Sequence, residues 1–202
     1  MGQIKEIKDA SNNLLKFNYD SFGNKIKTID SDNNITSYTY DSRGRKITIS
    51  HPNVGDIQYF YNSFSEIVAQ VDNKGQKITI DYDVLGRKIE STNKEGTTNW
   101  YYDFNPDNMG VSARGKLFKT IGPGSFKRKY EKLNTFDSNY RLSNTEITIG
   151  DDTYNYSFTY DSNGRIDKTV YPSNFTIKYG YSNDILKKIS RYENGNTTVD
   201  YW

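Results

Sequence analysis

Four stretches carry the residue types that could do chemistry: GVSARGKL (110–117), the single histidine His51, the acidic pair Asp151 and Asp152, and the run DSDNNI (30–35). The first matches G-x-x-x-x-G-K, the spacing at which a glycine-rich loop wraps phosphates and sends them a lysine. That chemistry also needs a hydroxyl after the lysine for Mg²⁺, an apolar strand before the loop and a helix after it. Here Leu117 holds the hydroxyl position, FNPDNM precedes, and a β-branched strand pattern follows. Lys116 and Arg114 are therefore not read as a nucleotide site. His51 sits in the loop HPNVGD with no positioned partner in sequence, so it is read as solvated rather than as a general base. DSDNNI opens like a calcium loop, yet Ile35 replaces the glycine of position six and Asp41 the glutamate of position twelve. Asp151 and Asp152 follow Gly150 in a turn between NTEITI and TYNYSFTY. The chain has 0 cysteines, which removes disulfides, thiolate nucleophiles and sulfur-based zinc sites together. The expectation is no catalytic residue, no cofactor and no metal, and the sequons at Asn34, Asn155, Asn174 and Asn196 are given no role.

Composition bounds the partners. Lys plus Arg number 27 against 25 Asp plus Glu, and a formal charge of +2 is too small for a dedicated binder of phosphate backbones, so no nucleic acid is expected. The apolar runs are a few residues long and the start is polar, so neither a membrane span nor a signal peptide is expected. Only 34% of the 202 residues are hydrophobic, which disfavours a thick two-layer core, while 18 Tyr and 10 Phe supply flat amphipathic rings suited to a sheet with a wet side.

The elements behind these residues repeat. Words such as FNYDSFGNKIKTI (17–29), YTYDSRGRKITIS (38–50), IDYDVLGRKIEST (80–92) and FTYDSNGRIDKTV (158–170) recur, with Tyr19, Tyr40, Tyr61 and Tyr82 spaced 21 residues apart. Tyr102, Phe136, Tyr160, Tyr181 and Tyr201 continue the series around an insertion. Twenty-one residues hold two strands of about six or seven residues and two turns, but not a helical crossover. The unit is a β-hairpin. In DSRGR and its copies Asp accepts bonds from nearby N–H groups and Gly three residues on supplies positive φ. The opposite turns, DSDNN, PNVGD, DNKGQ and NKEGT, are looser hairpin loops.

Alternation places Phe17/Tyr19, Tyr38/Tyr40, Tyr59/Tyr61, Ile80/Tyr82, Trp100/Tyr102, Phe158/Tyr160 and Tyr179/Tyr181 on one face as a ladder, fully buried, with Ile26, Ile47, Val68 and Ile89 as its neighbours across the hairpin. Cross-strand pairs contribute roughly 0.2–1 kcal/mol each, so one unit alone should not fold. The insertion, at about 103–128, is read as a protruding loop over 103–114, a strand GKLFKTI (115–121), a turn GPGS (122–125) and a return strand FKRKYEKLN (126–134).

The words Y-x-Y-D-x-x-G-R at this spacing resemble the Rhs, or YD-repeat, family of bacterial proteins, with relatives in the C components of toxin complexes and in teneurins. The resemblance covers nearly the whole chain. It implies an all-β fold of tandem antiparallel hairpins forming a curved or spiralling single sheet, an arc of a shell over residues 1–202 within a larger protein. It implies a structural, non-enzymatic segment enclosing a C-terminal toxin or effector domain, secreted or at the bacterial cell surface. The partners it implies are the remaining repeats and the toxin domain of the parent. The family's self-cleaving Asp-Pro boundary has no counterpart, because the four prolines follow His51, Asn105, Gly122 and Tyr171. The alternative is a carbohydrate-binding recognition module, with glycans taken by off-ladder aromatics such as Phe60, Tyr101 and Phe104. Exposed edge strands should also promote self-association.

Overall fold

In the computed structural model, which describes residues 2–123, 129–193 and 195–201, strand follows strand with no helix among the described residues. The chain divides into two units, Met1–Lys94 and Glu95–Trp202. The first holds β1 (Glu6–Lys8), β2 (Leu14–Tyr19), β3 (Lys25–Ile29), β4 (Ile35–Tyr40), β5 (Lys46–His51), β6 (Gly55–Tyr61), β7 (Ile67–Val71), β8 (Lys77–Tyr82) and β9 (Lys88–Asn93). The second holds β10 (Gly96–Asn105), β11 (Asn108–Ile121), β12 (Tyr130–Phe136), β13 (Leu142–Ile149), β14 (Asp152–Tyr160), β15 (Ile166–Val170), β16 (Thr176–Ser182), β17 (Ile185–Glu193) and β18 (Asn196–Asp200). Within each unit every strand pairs antiparallel with the next. Each unit is thus a continuous antiparallel run of strands.

The turn chemistry explains the hairpins. Asp41 Oδ1 accepts from the N–H groups of Arg43 and Arg45, both at 2.9 Å, while Gly44 N–H donates to the Asp41 carbonyl at 3.0 Å. Gly44 has φ 76°, a conformation that costs a residue with Cβ. The turns headed by Asp20, Asp83, Asp137 and Asp161 repeat these bonds. The opposite turns at Asp30 and Asp72 use the same carboxylate device, so those ends are tighter than their sequences suggest.

Each ladder aromatic before a turn meets a β-bulge. Thr39 pairs with Thr48, but Tyr40 pairs with Lys46, leaving Ile47 as the extra residue; the same shift falls at Asn18/Tyr19, Phe60/Tyr61 and Asp81/Tyr82. In the second unit it recurs at Thr135/Phe136, Thr159/Tyr160, Gly180/Tyr181 and Arg191/Tyr192. A bulge sets two residues against one and increases local twist. This corrects the expected pairing: Thr28, Ile49, Gln70 and Ser91, rather than Ile26, Ile47, Val68 and Ile89, stand opposite Phe17, Tyr38, Tyr59 and Ile80. Ile26 and Ile89 are exposed.

Burial corrects a second expectation. The ladder faces inward relative to its neighbours, with Asn18, Thr39 and Asp81 exposed between half-buried rings, but the rings are not fully buried. A single layer of sheet has no second layer to cover them. Lysine stems cover part of the ladder instead, with Lys46 Nζ 4.6 Å from the Tyr38 ring centroid. Among the described residues the buried apolar side chains are Ala69, Ala113 and Phe118, and Phe118 packs edge-on against Phe136 with centroids 5.0 Å apart.

The insertion is not a loop over 103–114. It is an arm of paired strand, the ends of β10 and β11, closed at Asn105 and Asn108. The register jumps from Tyr102↔Leu117 to Asp103↔Ala113, so Arg114, Gly115 and Lys116 bulge out. At this corner Asp103 and Gly115 both take positive φ, 70° and 77°, and Gly115 N–H donates to Asp103 Oδ1 at 2.7 Å. The arm tip is tied down by Lys119, whose Nζ bonds Asp107 at 2.8 Å and Glu131 at 2.7 Å. Residues 124–128, where most of the expected GPGS turn and the start of the return strand fall, lie outside the described residues, as does Trp202.

Candidate functional site

The most ordered chemistry in the chain is a clasp repeated along the turn edge. In the first unit Tyr19, Tyr40, Tyr61 and Tyr82 donate their hydroxyls to the carbonyls of Ile4, Lys25, Lys46 and Ile67 at 2.8, 2.7, 2.6 and 3.0 Å. In the second, Tyr160 donates to Leu142 and Tyr181 to Ile166, at 2.8 and 3.0 Å. Apart from Ile4, the receiving carbonyl belongs to the residue that opens the previous bulge. The ladder between β3 and β4 reaches only Lys27↔Ser37, so Lys25 has no partner strand on that side and the tyrosine supplies the missing donor. Burial holds the Tyr40, Tyr61, Tyr82 and Tyr160 hydroxyls above the usual phenol range, consistent with their role as donors.

Arginine completes the clasp. Arg45 Nε donates to Asp41 Oδ2 at 2.7 Å, its Nη1 donates to the Asn62 carbonyl at 2.9 Å, and its guanidinium carbon stands 4.7 Å from the Tyr61 centroid. Arg141 and Arg165 pair with Asp137 and Asp161 in the same way and lie 4.3 and 4.4 Å from the centroids of Tyr160 and Tyr181. One side chain thus joins its own turn to the next repeat through an ion pair and a cation–π contact. The Arg45 N–H, with the Arg45 guanidinium behind it, holds the Asp41 carboxyl below the usual carboxylate range; the Arg141 side chain does the same for Asp137. In the third repeat the polarity reverses: Asn62 Nδ2 donates to Glu66 Oε2 at 2.6 Å, and Ser65 takes the positive φ at 69°.

These arginines had no role in the sequence reading. The signal was present, since Arg45, Arg87, Arg141 and Arg165 each stand four residues after a turn aspartate. The carboxylates invite metal chemistry, but they are turned onto their own backbone, and no cluster of three or more His, Cys, Asp or Glu among the described residues could hold a metal ion. Asp30 binds the N–H groups of Asp32 and Asn34 in this way. His51 closes β5, and its Nδ1 accepts from Asn53 N–H at 3.1 Å. Residues 110–116 lie on strand β11 and its bulge, with no helix after them. Asp152 opens β14 opposite Ile149. Phe60, Tyr101 and Phe104 pair with Ala69, Lys119 and Ser112 respectively; Phe60 and Phe104 are exposed and Tyr101 is half-buried.

A family model described as the teneurin YD-shell matches residues 1–200. The chain belongs to the teneurin YD-shell family. Among solved structures it is similar to the Tc holotoxin pore of Photorhabdus luminescens with a variant TccC3, at 13% identity and a TM-score of 0.58 over 95% of this chain and 13% of that one. The crystal structure of TcdB2-TccC3-TEV matches equally, at 13% identity and TM-score 0.58 over 96% of this chain. The chain spans 13% of the length of each of these structures. At this identity the likeness is one of fold. None of the curated proteins matches the chain. The YD-shell segment is a structural one, a stack of clasped hairpins, and no helix among its described residues is long and apolar enough to cross a membrane.

Proposed function

We propose that this YD-shell segment is wall: it forms part of a container, within a larger secreted or surface-delivered toxin protein, that encloses a C-terminal toxin or effector domain without itself catalysing a reaction. The observation that carries this reading is the clasp. Hairpin after hairpin, at Tyr19, Tyr40, Tyr61, Tyr82, Tyr160 and Tyr181, a tyrosine hydroxyl completes the hydrogen bonds of the preceding segment, so the polar chemistry of the repeat is spent between repeats and the array extends without a fixed end. The toxin assignment rests on the similarity to the Tc holotoxin structure, whose matched chain is far longer than this segment. The partners are then further YD repeats on either side and the enclosed domain.

The test is limited proteolysis of the parent protein that contains this segment. The domain that follows the repeats should resist protease in the intact parent and be cut rapidly when expressed alone. Equal cleavage in both forms would remove the container. A glycan array probed with this segment should show no binding above background, and a saturable sugar would instead favour a recognition module.

A further inference from the structure

Two departures from the repeat converge on one cavity of the second unit. In the turns headed by Asp20, Asp41, Asp83 and Asp161 the residue at positive φ is glycine, but in the turn headed by Asp137 it is Tyr140, at φ 59°. A bulky side chain is strained in the left-handed region, and such strain collects where a ring has to be displayed. Tyr140 is 58% exposed. The other departure is the folded-back arm, whose corner pushes Arg114, Gly115 and Lys116 out of the ladder. Ser112 and Arg114 from the arm and Tyr140 from the turn together line a cavity of about 300 Å³. Phe104 stands across the ladder from Ser112 and shares its face.

The chemistry of the lining is specific. Arg114 and Lys116 are exposed and, among the described residues, make no ion pair, in a chain whose turn arginines are paired with aspartates. A guanidinium beside a hydroxyl and an aromatic face matches a carboxylate carried next to an apolar group. The ladder between β11 and β12 begins only at Lys119, so the backbone of Ser112 and Ala113, next to the bulge, has no ladder partner on the β12 side. An extended chain could take those positions, as a free anion could not.

We propose that this cavity is a docking site for an extended acidic peptide segment. A glutamate or aspartate of the peptide takes the Arg114 guanidinium in a two-point hydrogen bond, with Ser112 Oγ as a further donor, and the neighbouring apolar side chain packs on Tyr140 and Phe104. Lys116, in the same bulge as Arg114, adds a second positive charge.

Fluorescence anisotropy of the full 202-residue chain with a labelled peptide Gly-Glu-Phe-Asp-Gly tests this. The acidic peptide should bind saturably, and its neutral analogue Gly-Gln-Phe-Asn-Gly should not. Arg114→Gln should weaken binding by about tenfold or more, the loss expected for a charged hydrogen-bonded pair. Tyr140→Gly is the sharper variant, because it restores the residue used by the other turns. It should weaken binding comparably while raising the melting temperature by about 2–4 °C, since the strain is relieved. No saturable binding, equal binding of the neutral peptide, or affinity indifferent to both substitutions would overturn the proposal. Displacement by acetate at the same concentration as the peptide would also overturn it, by showing a site for carboxylate ions only.

Discussion

The hydroxyl of Tyr40 donates to the carbonyl of Lys25 at 2.7 Å, from one hairpin to the preceding one. Because Lys25 opens a bulge and lies beyond the end of the β3–β4 ladder, this bond stands where a strand-to-strand bond would have been. Tyr40→Phe removes only the hydroxyl and should cost about 0.5–1.5 kcal/mol, the net worth of one such bond. Tyr40→Ala should cost about 1–3 kcal/mol, less than a fully buried aromatic, because its ring is half-buried. Urea melts of the two variants measure the split between hydroxyl and ring.

Phe118 is the opposite case. It is 0% exposed and packs edge-on against Phe136. Phe118→Ala should cost about 3–5 kcal/mol, well above any ladder position. A urea midpoint that moves no more than that of Tyr40→Ala would mean that the surroundings of Phe118 can refill the gap.

The turn carboxylates make the chain sensitive to acid. Asp41 and Asp137 are held below their ordinary value by the Arg45 N–H and the Arg141 side chain respectively. Such groups contribute stability that is complete above the unfolded aspartate value of about 3.9 and is lost as pH falls through the lower folded value. The urea midpoint should therefore be flat from about pH 5 to 7 and fall steadily below about pH 4. Asn62 shows that asparagine can head the same turn. The double variant Asp41→Asn, Asp137→Asn should start less stable at neutral pH and lose less on acidification; a slope unchanged from the parent chain would assign the acid sensitivity elsewhere.

Ser65 stands at φ 69° where most of its counterparts are glycine. Ser65→Gly should stabilise the chain by about 0.5–1 kcal/mol, since the relief of strain exceeds the added freedom of the unfolded chain. Calorimetry at neutral pH would detect the rise of a few degrees, and a fall would mean that the serine hydroxyl contributes more than the backbone loses.

Sequence carried the repeat because both of its signals are local: a period of two along each strand, and a tyrosine spacing of 21 from Tyr19 to Tyr82. The turn aspartates and glycines were legible for the same reason. The bulges were not, because Ile47 reads as one more apolar strand residue; its displacement follows from the closure of Asp41 N–H onto the Arg45 carbonyl, which offsets the pairing of everything beyond it. The depth of burial is not legible in the sequence, because alternation says which face a ring shares, not whether a second layer covers that face. The arm looks like a loop in sequence because its fold-back depends on a non-glycine corner at Asp103 and on the long-range pairing of Lys119 with Asp107, neither of which leaves a periodic trace. Arginine at the end of D-x-x-G-R was visible but unexplained until Arg45 was seen to join Asp41 to the face of Tyr61.

The claim beneath the whole account is that each hairpin is finished by its successor. Hydrogen exchange, followed by mass spectrometry on the chain with Tyr40→Phe and Tyr61→Phe, tests it most directly. Protection should fall in the hairpins that lose their incoming hydroxyls, residues 14–29 and 35–51, as well as in those that carry the substitutions. Loss confined to β4 and β6, with residues 14–29 exchanging as in the parent chain, would contradict it.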